Sequence, residues 1–190
     1  MTKSALIVVD VQRDFCEGGA LAGSDTLSLL DPLKATIDEG RRRGKLIVFT
    51  QDWHPTTHSS FKANGGPWPV HCVADTQGSE LMPPLEAAPN DLIVHKGVGV
   101  DGAGYSGFEE TKLDEALRAR GVTHVAVAGI ATEYCVRATA LDAAKAGFET
   151  IVLTDLIRPV QGSATEGVLQ EFKKAGIEVS PSSAWLARAN

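Results

Sequence analysis

Three cysteines in 190 residues are too few to staple a fold. Their number is odd, and Cys16, Cys72 and Cys135 form no C-x-x-C pair, which argues against a disulfide framework and a closed zinc finger. No apolar run reaches the roughly 18 residues of a membrane span. The opening MTKSALIVVD carries too few apolar residues before Asp10 for a signal peptide. The expected setting is therefore a reducing cytoplasm with free thiols, each serving either packing or chemistry. Basic residues are also in deficit, 18 Lys and Arg against 24 Asp and Glu for a net charge of −6, which argues against nucleic acid as a partner. The one basic run, Arg41 to Arg43, falls where a helix is expected to end, and cations suit that end of the dipole. There is no repeat, no low-complexity tract and no G-x-x-x-x-G-K-[ST] phosphate loop.

What is present is an ordinary globular composition, 43% hydrophobic and 22% charged, with a length that suits one domain over residues 1–190. Short β-branched runs recur at 5–9, 45–50, 91–95, 124–128 and 150–155, with a weaker one at 177–180. Continuous apolar runs of this kind suit strands buried on both faces. Helical patterns lie between them. One is expected from the Asp31-Pro32 cap to Gly44, one over 111–120, one over 132–146 and one over 164–175, each stopped by a glycine. The third carries a stripe at Val136, Thr139, Ala140, Ala143 and Ala144. The alternation predicts an α/β domain built on a mostly parallel, doubly wound sheet, whose ligands bind at the carboxyl ends of the strands.

Asp10, Lys96 and Cys135 follow the first, third and fourth of those strands. An acid, an ammonium and a thiol thus emerge on one sheet edge. A helix N-terminus favours the thiolate, Asp10 can take the thiol proton, and Lys96 can orient it and balance charge. Backbone N–H groups around Ala131 and Cys135 lie where an oxyanion would need them. Read singly, each residue has a plainer role: a buried cysteine, a turn aspartate, a surface lysine. Their coincidence on one edge carries the reading; Cys16 sits in a glycine-rich loop with no obvious base beside it, and Cys72, after His71, is either a metal ligand or a packing residue.

Residues 51–90 break the alternation, holding six prolines and three of the five histidines but no clear element. A loop so long is usually functional, and it reads as an insertion that binds metal. Asp52, His54 and His58 fall within seven residues, and WPVHC adds His71. Imidazole and carboxylate suit zinc, iron or manganese, and three ligands would leave an open position. His58 is either a fourth ligand or a loop hydrogen bonder, and a loop merely tied by hydrogen bonds explains the spacing too. The GVGVDG at 97–102 imitates a dinucleotide fingerprint, but no helix opens on it. It reads as an active-site loop with Tyr105 and Phe108 as pocket walls.

VVDVQRDFCEGGALAG, TQDWHPTTHSSF, WPVHCV, the HKG after the third expected strand, and GIATEYCVRATALDAAKAGF occur in that order. Together they resemble the nicotinamidases, also called pyrazinamidases, of the isochorismatase-like hydrolases, over about Ala5 to Ile177. The resemblance implies a three-layer α/β/α fold with a six-stranded sheet. It implies a triad of Asp10, Lys96 and Cys135, and an oxyanion hole from the amides of Ala131 and Cys135 beside a cis Ile130–Ala131 peptide. One divalent ion is implied on Asp52, His54 and His71, zinc first and iron or manganese next, with His58 a ligand in only some relatives. Phe15, Leu21, Trp68 and Tyr105, with Ile130 and Ala131, match the positions that wall the substrate pocket. The implied reaction is hydrolysis of nicotinamide, and of pyrazinamide, through a thioester. The implied partner is a small amide, with neither nucleic acid nor membrane, and a homo-oligomer is compatible. The rival readings are an amidohydrolase of the same superfamily acting on carbamoyl or ureido groups, a metallohydrolase, and a non-catalytic redox-sensing module.

Overall fold

The β-branched runs become six strands. They are β1 (Lys3–Val9), β2 (Leu46–Asp52), β3 (Leu92–Lys96), β4 (Val122–Ile130), β5 (Glu149–Arg158) and β6 (Glu178–Ser180). In this computed structural model, which describes residues 3–188, they form one all-parallel sheet in the order β3-β2-β1-β4-β5-β6. The helices are α1 (Leu27–Arg42), α2 (Leu113–Ala119), α3 (Arg137–Lys145), α4 (Thr165–Lys174) and α5 (Ser182–Ala187). No described helix is long and apolar enough to cross a membrane.

Strand periodicity divides the core in two. Leu6 and Val8 of β1 join Leu29, Leu33 and Ile37 of α1 and Trp185 of α5 on one face. Ala5, Ile7 and Val9 join Leu117 of α2, Ala140 of α3 and Phe172 of α4 on the other. All five β1 residues are essentially inaccessible, as a parallel strand covered on both faces requires.

Two expectations need correction, and one element was not foreseen. The first helix starts at Leu27 after Thr26, not at Asp31-Pro32, and Pro32 lies inside it. The buried stripe of Leu29, Leu30, Leu33 and Ile37 runs straight through the proline, so packing outweighs the one hydrogen bond proline cannot donate. β3 is not buried on both faces. It is an edge strand, and Ile93 is 52% exposed. Finally, the segment after β6 folds as α5 and buries Trp185, whose indole N–H donates to Ser4 Oγ at 2.8 Å. Trp185→Ala is expected to lower stability by about 3–5 kcal/mol through the cavity it leaves, as measured by urea denaturation. A loss under about 1 kcal/mol would remove α5 from the core.

The chain order positions the functional edge. β1, β2 and β3 run outward in one direction, and the chain then returns to place β4 on the other side of β1. The crevice at such a reversal lies between β1 and β4, where Asp10 and the residues after Ile130 emerge. Gly129 makes the approach close enough. It takes φ 119° opposite Val9, and a Cβ there would stand 2.1 Å from the Val9 carbonyl oxygen.

Candidate active site

Asp10 leaves β1 in a left-handed conformation (φ 48°), uncommon outside glycine. Its amide donates to Thr50 O at 3.2 Å and its carbonyl accepts from Gln12 N at 2.8 Å, so β2 and the following turn hold it. Thr50 Oγ1 donates to Asp10 Oδ1 at 2.6 Å. Oδ2 lies 2.8 Å from Lys96 Nζ and accepts no aligned hydrogen bond. Lys96 ends β3 fully enclosed. Its ammonium donates to Gly104 O at 2.8 Å and to Asp52 Oδ1, and lies 3.5 Å from Cys135 Sγ. A carboxylate oxygen of Asp10, one of Asp52 and Cys135 Sγ lie within 4.8 Å of one another. The ammonium contacts all three groups and supplies the cation there.

Cys135 arrives differently from the expected first turn of a helix. Residues Thr132–Val136 form a π turn ahead of α3. The Ala131 carbonyl accepts the amides of Tyr134 and Val136, both at 3.1 Å, leaving that of Cys135 between them out of this pair of bonds. The Ile130–Ala131 peptide is cis. The extra residue in the turn lets Val136, Thr139, Ala140 and Ala143 pack inward while Cys135 lines a cavity; Ala144, expected in the same stripe, is only partly buried.

The electrostatics follow from one ammonium serving two acids. Burial opposes ionisation of Asp52, but Lys96 and His54 outweigh it and hold the carboxyl well below the usual range. Burial raises the pKa of Asp10, helped by the negative charge of Asp52 and resisted by Lys96. Burial disfavours charge on Lys96, yet Asp10 and Asp52 drive its pKa well above that of a free lysine. The expected lowering of the Cys135 pKa by a helix end is overturned. Burial pushes the thiol well up, Lys96 pulls it down, and Asp10 and Asp52 push it up again. The resting group is a neutral thiol beside a carboxylate with raised basicity. Burial raises the other two cysteines as well, Cys16 to about 11, but neither lines this cavity.

The metal-like residues converge next to the thiol. Oxygen and nitrogen donors of Asp52, His54 and His71 lie within 4.8 Å of one another, all buried. His54 Nε2 is 3.4 Å and His71 Nε2 3.9 Å from Asp52 Oδ2. His54 Nδ1 donates to Gly97 O and His71 Nδ1 to Pro69 O, each at 2.8 Å. Those carbonyls fix the tautomer and leave both Nε2 lone pairs for a cation, as carbonyls bonded to the far ring nitrogen of a metal-binding histidine do. Burial lowers the His71 pKa despite Pro69 and Asp52, whereas the Asp52 carboxylate overcomes burial at His54 and raises it. His58 stacks on His54 at 4.1 Å, bonds Ser60 Oγ through Nδ1 at 2.7 Å, and keeps Nε2 buried without a partner. Burial pushes its pKa down to about 4. The donor chemistry, fixed tautomers and orphaned nitrogen fit a divalent metal ion.

The first glycine of the GVGVDG run and Gly104 just beyond the run serve this centre. Gly97 has φ 61°, and a Cβ there would meet His54 Cε1 at 2.4 Å. Gly104 supplies the carbonyl that holds Lys96.

A narrow cavity opens over the thiol. Phe15, Leu21, Trp68, Tyr105 and Ala131 line it with Asp52, His54, His71 and Cys135. Ile130 is completely buried beneath, and Phe108 packs instead with Phe148 in the core, its rings 6.1 Å apart. Tyr134 was not singled out from sequence, yet its ring meets Trp68 at 5.1 Å and Tyr105 at 5.7 Å. Its place beside Cys135 was the available signal. Gln12 was also missed. Fully buried, it accepts the Asp52 amide at 2.8 Å and donates to the Asp52 and Ser79 carbonyls at 2.9 Å, clamping a candidate ligand.

A doubly wound α/β protein with a thiol, a carboxylate and an ammonium on its strand ends is the class defined so far. The family model described as the isochorismatase domain matches residues 4–184. The nicotinamidase/pyrazinamidase of Mycobacterium tuberculosis is 41% identical over 94% of this chain and 99% of its own. The pyrazinamidase of Pyrococcus horikoshii, solved in complex with zinc, superposes with a TM-score of 0.91 at 44% identity, covering 94% of this chain and 99% of that one. A protein from L. infantum, solved in complex with nicotinate, gives 0.88 at 36% identity over 96% and 94%. The chain belongs to the isochorismatase-like hydrolases, among their nicotinamidase/pyrazinamidase members.

Proposed function

We propose that this chain hydrolyses nicotinamide to nicotinate and ammonia, and pyrazinamide likewise, as one cytoplasmic catalytic domain serving pyridine nucleotide salvage. The observation that carries the reading is a single cavity with the Cys135 thiol and the Asp52, His54 and His71 donors in its lining. The named activity of the relatives supplies the substrate.

Phe15, Leu21, Trp68, Tyr105 and Tyr134 sandwich a flat heteroaromatic ring and exclude water. Asp52, His54 and His71 would hold a divalent ion, zinc in our assignment, which supplies an electrophilic anchor for the ring nitrogen. With the ring between the sandwiching side chains, the carboxamide would lie over Cys135. Asp10 takes the thiol proton, and the sulfur electron pair attacks the amide carbon. The amides of Ala131 and Cys135 receive the oxyanion. Asp10 returns the proton to the departing nitrogen, the C–N bond breaks, and ammonia leaves a thioester. Asp10 then draws a proton from water, which attacks the thioester carbon, releasing nicotinate and restoring the thiol. Lys96 keeps Asp10 oriented and ionised between steps, and its ammonium offsets the thiolate charge.

The test is ammonia release from nicotinamide by the metal-loaded protein. No release from nicotinamide or pyrazinamide would overturn the reading. Chelation is expected to abolish release and to lower the thermal midpoint, because an ion bound only by the folded state stabilises it. Zinc should restore both. An unchanged midpoint on chelation would contradict the ligand assignment.

A further inference from the structure

We infer that Glu133 is a positioning residue that latches the segment after β5 into place as a wall of the substrate cavity. Residues 159–161 lie between β5 and the turn leading to α4, where no ladder receives the amides of Val160 and Gln161. Glu133 supplies the acceptors. Val160 N donates to its two carboxylate oxygens at 3.0 and 3.2 Å, and Gln161 N donates to Oε1 at 2.7 Å. Charged acceptors make such bonds stronger than neutral ones. Glu133 stands on the π turn two residues before Cys135, and Val160 lines the cavity containing that thiol.

The latch extends beyond Val160. Ser24 Oγ donates to Val160 O at 3.1 Å, and Ser24 N to Pro159 O at 2.8 Å. Gly23 N donates to Phe15 O at 3.0 Å and Leu21 N to Asp14 O at 2.8 Å. Phe15 and Leu21, from the connection after β1, and Val160, from the segment after β5, line one cavity and are joined through these bonds. Glu133 ties this assembly to the turn that carries the nucleophile. Among the described residues, the carboxylate's hydrogen bonds go to the Val160 and Gln161 amides and to none of the triad or metal-site residues. Its loss therefore acts on the shape of the wall and so on substrate affinity.

The inference rests on reading the cavity as the nicotinamide site. The experiment pairs steady-state kinetics on nicotinamide with amide hydrogen exchange at Val160 and Gln161, for wild type, Glu133→Ala and Glu133→Gln. Glu133→Ala is expected to raise KM about tenfold with kcat changed less than about threefold, the signature of lost binding shared by ground and transition states. Exchange at both amides should accelerate. Glu133→Gln, which keeps one acceptor oxygen, should fall between. An unchanged KM or unchanged exchange in a folded Glu133→Ala protein overturns the latch. If that variant does not fold, Glu133→Gln decides by the same readouts. A wild-type protein inert on nicotinamide would remove the functional reading instead, and exchange alone would then decide the latch.

Discussion

Cys135→Ala is expected to lower nicotinamide turnover by about 10⁴-fold or more while leaving fold and metal content intact. The substitution removes the sulfur and little else, since the residue is 6% exposed and sits beside small neighbours such as Ala131. The metal-site donors of Asp52, His54 and His71 remain, as does the aromatic wall. What is lost is the atom that forms the covalent bond. Cys135→Ser should be nearly as inactive, because a hydroxyl is far less acidic than a thiol and Asp10 is only modestly equipped to ionise it. If water rather than the thiol made the first attack, Cys135→Ser would keep much of the activity. Ammonia release by the two variants separates these cases.

The second large effect concerns Lys96. Its ammonium lies 2.8 Å from Asp10 Oδ2, bonds Asp52 Oδ1, and is wholly buried. Lys96→Met keeps the apolar stem but leaves two buried carboxylates facing each other without their cation. Breaking a buried ion pair on one side typically costs about 3–5 kcal/mol, more than the pair itself contributes. Stability of the apoprotein to urea should fall by that amount. Turnover should fall by at least about 10³-fold even when metal is bound, since Asp10 would take up a proton in place of its lost partner. A Lys96→Met protein as stable and active as wild type would show that this cluster carries neither role.

The order of the elements was legible because parallel strands buried on both faces must be apolar throughout. Once the runs at 5–9, 91–95 and 124–128 were placed, Asp10, Lys96 and Cys135 fell on one edge. Their meeting within bonding reach depends on features a linear reading does not contain. The left-handed φ of Asp10 and the glycine contact at Gly129 are backbone facts. The π turn differs from an ordinary helix start by one residue of register, which no periodicity resolves over five residues. β3 looked fully buried because Leu92, Ile93 and Val94 are as apolar as a central strand; only the topology reveals the edge. α5 is six residues long, too short for a stripe to declare itself. In the segment after β2, Asp52, His54 and His71 could be picked out by donor type. The packing that gathers the two histidines around Phe61 folds this segment back on itself through isolated bridges, His54 to Val73 and Phe61 to Trp68. Glu133 and Gln12 were hidden for a related reason. Their partners are backbone groups, and a backbone group leaves no mark on a sequence.

The central claim is that the acyl group passes through Cys135 as a thioester, and partitioning by hydroxylamine tests it most directly. A nicotinoyl thioester on Cys135 can be taken by water or by hydroxylamine. The expected result is nicotinohydroxamate formed at the expense of nicotinate, in a ratio that rises linearly with hydroxylamine, while ammonia release matches the sum of the two products. Nicotinate as the sole product at every hydroxylamine concentration, with ammonia release undiminished, would contradict the thioester.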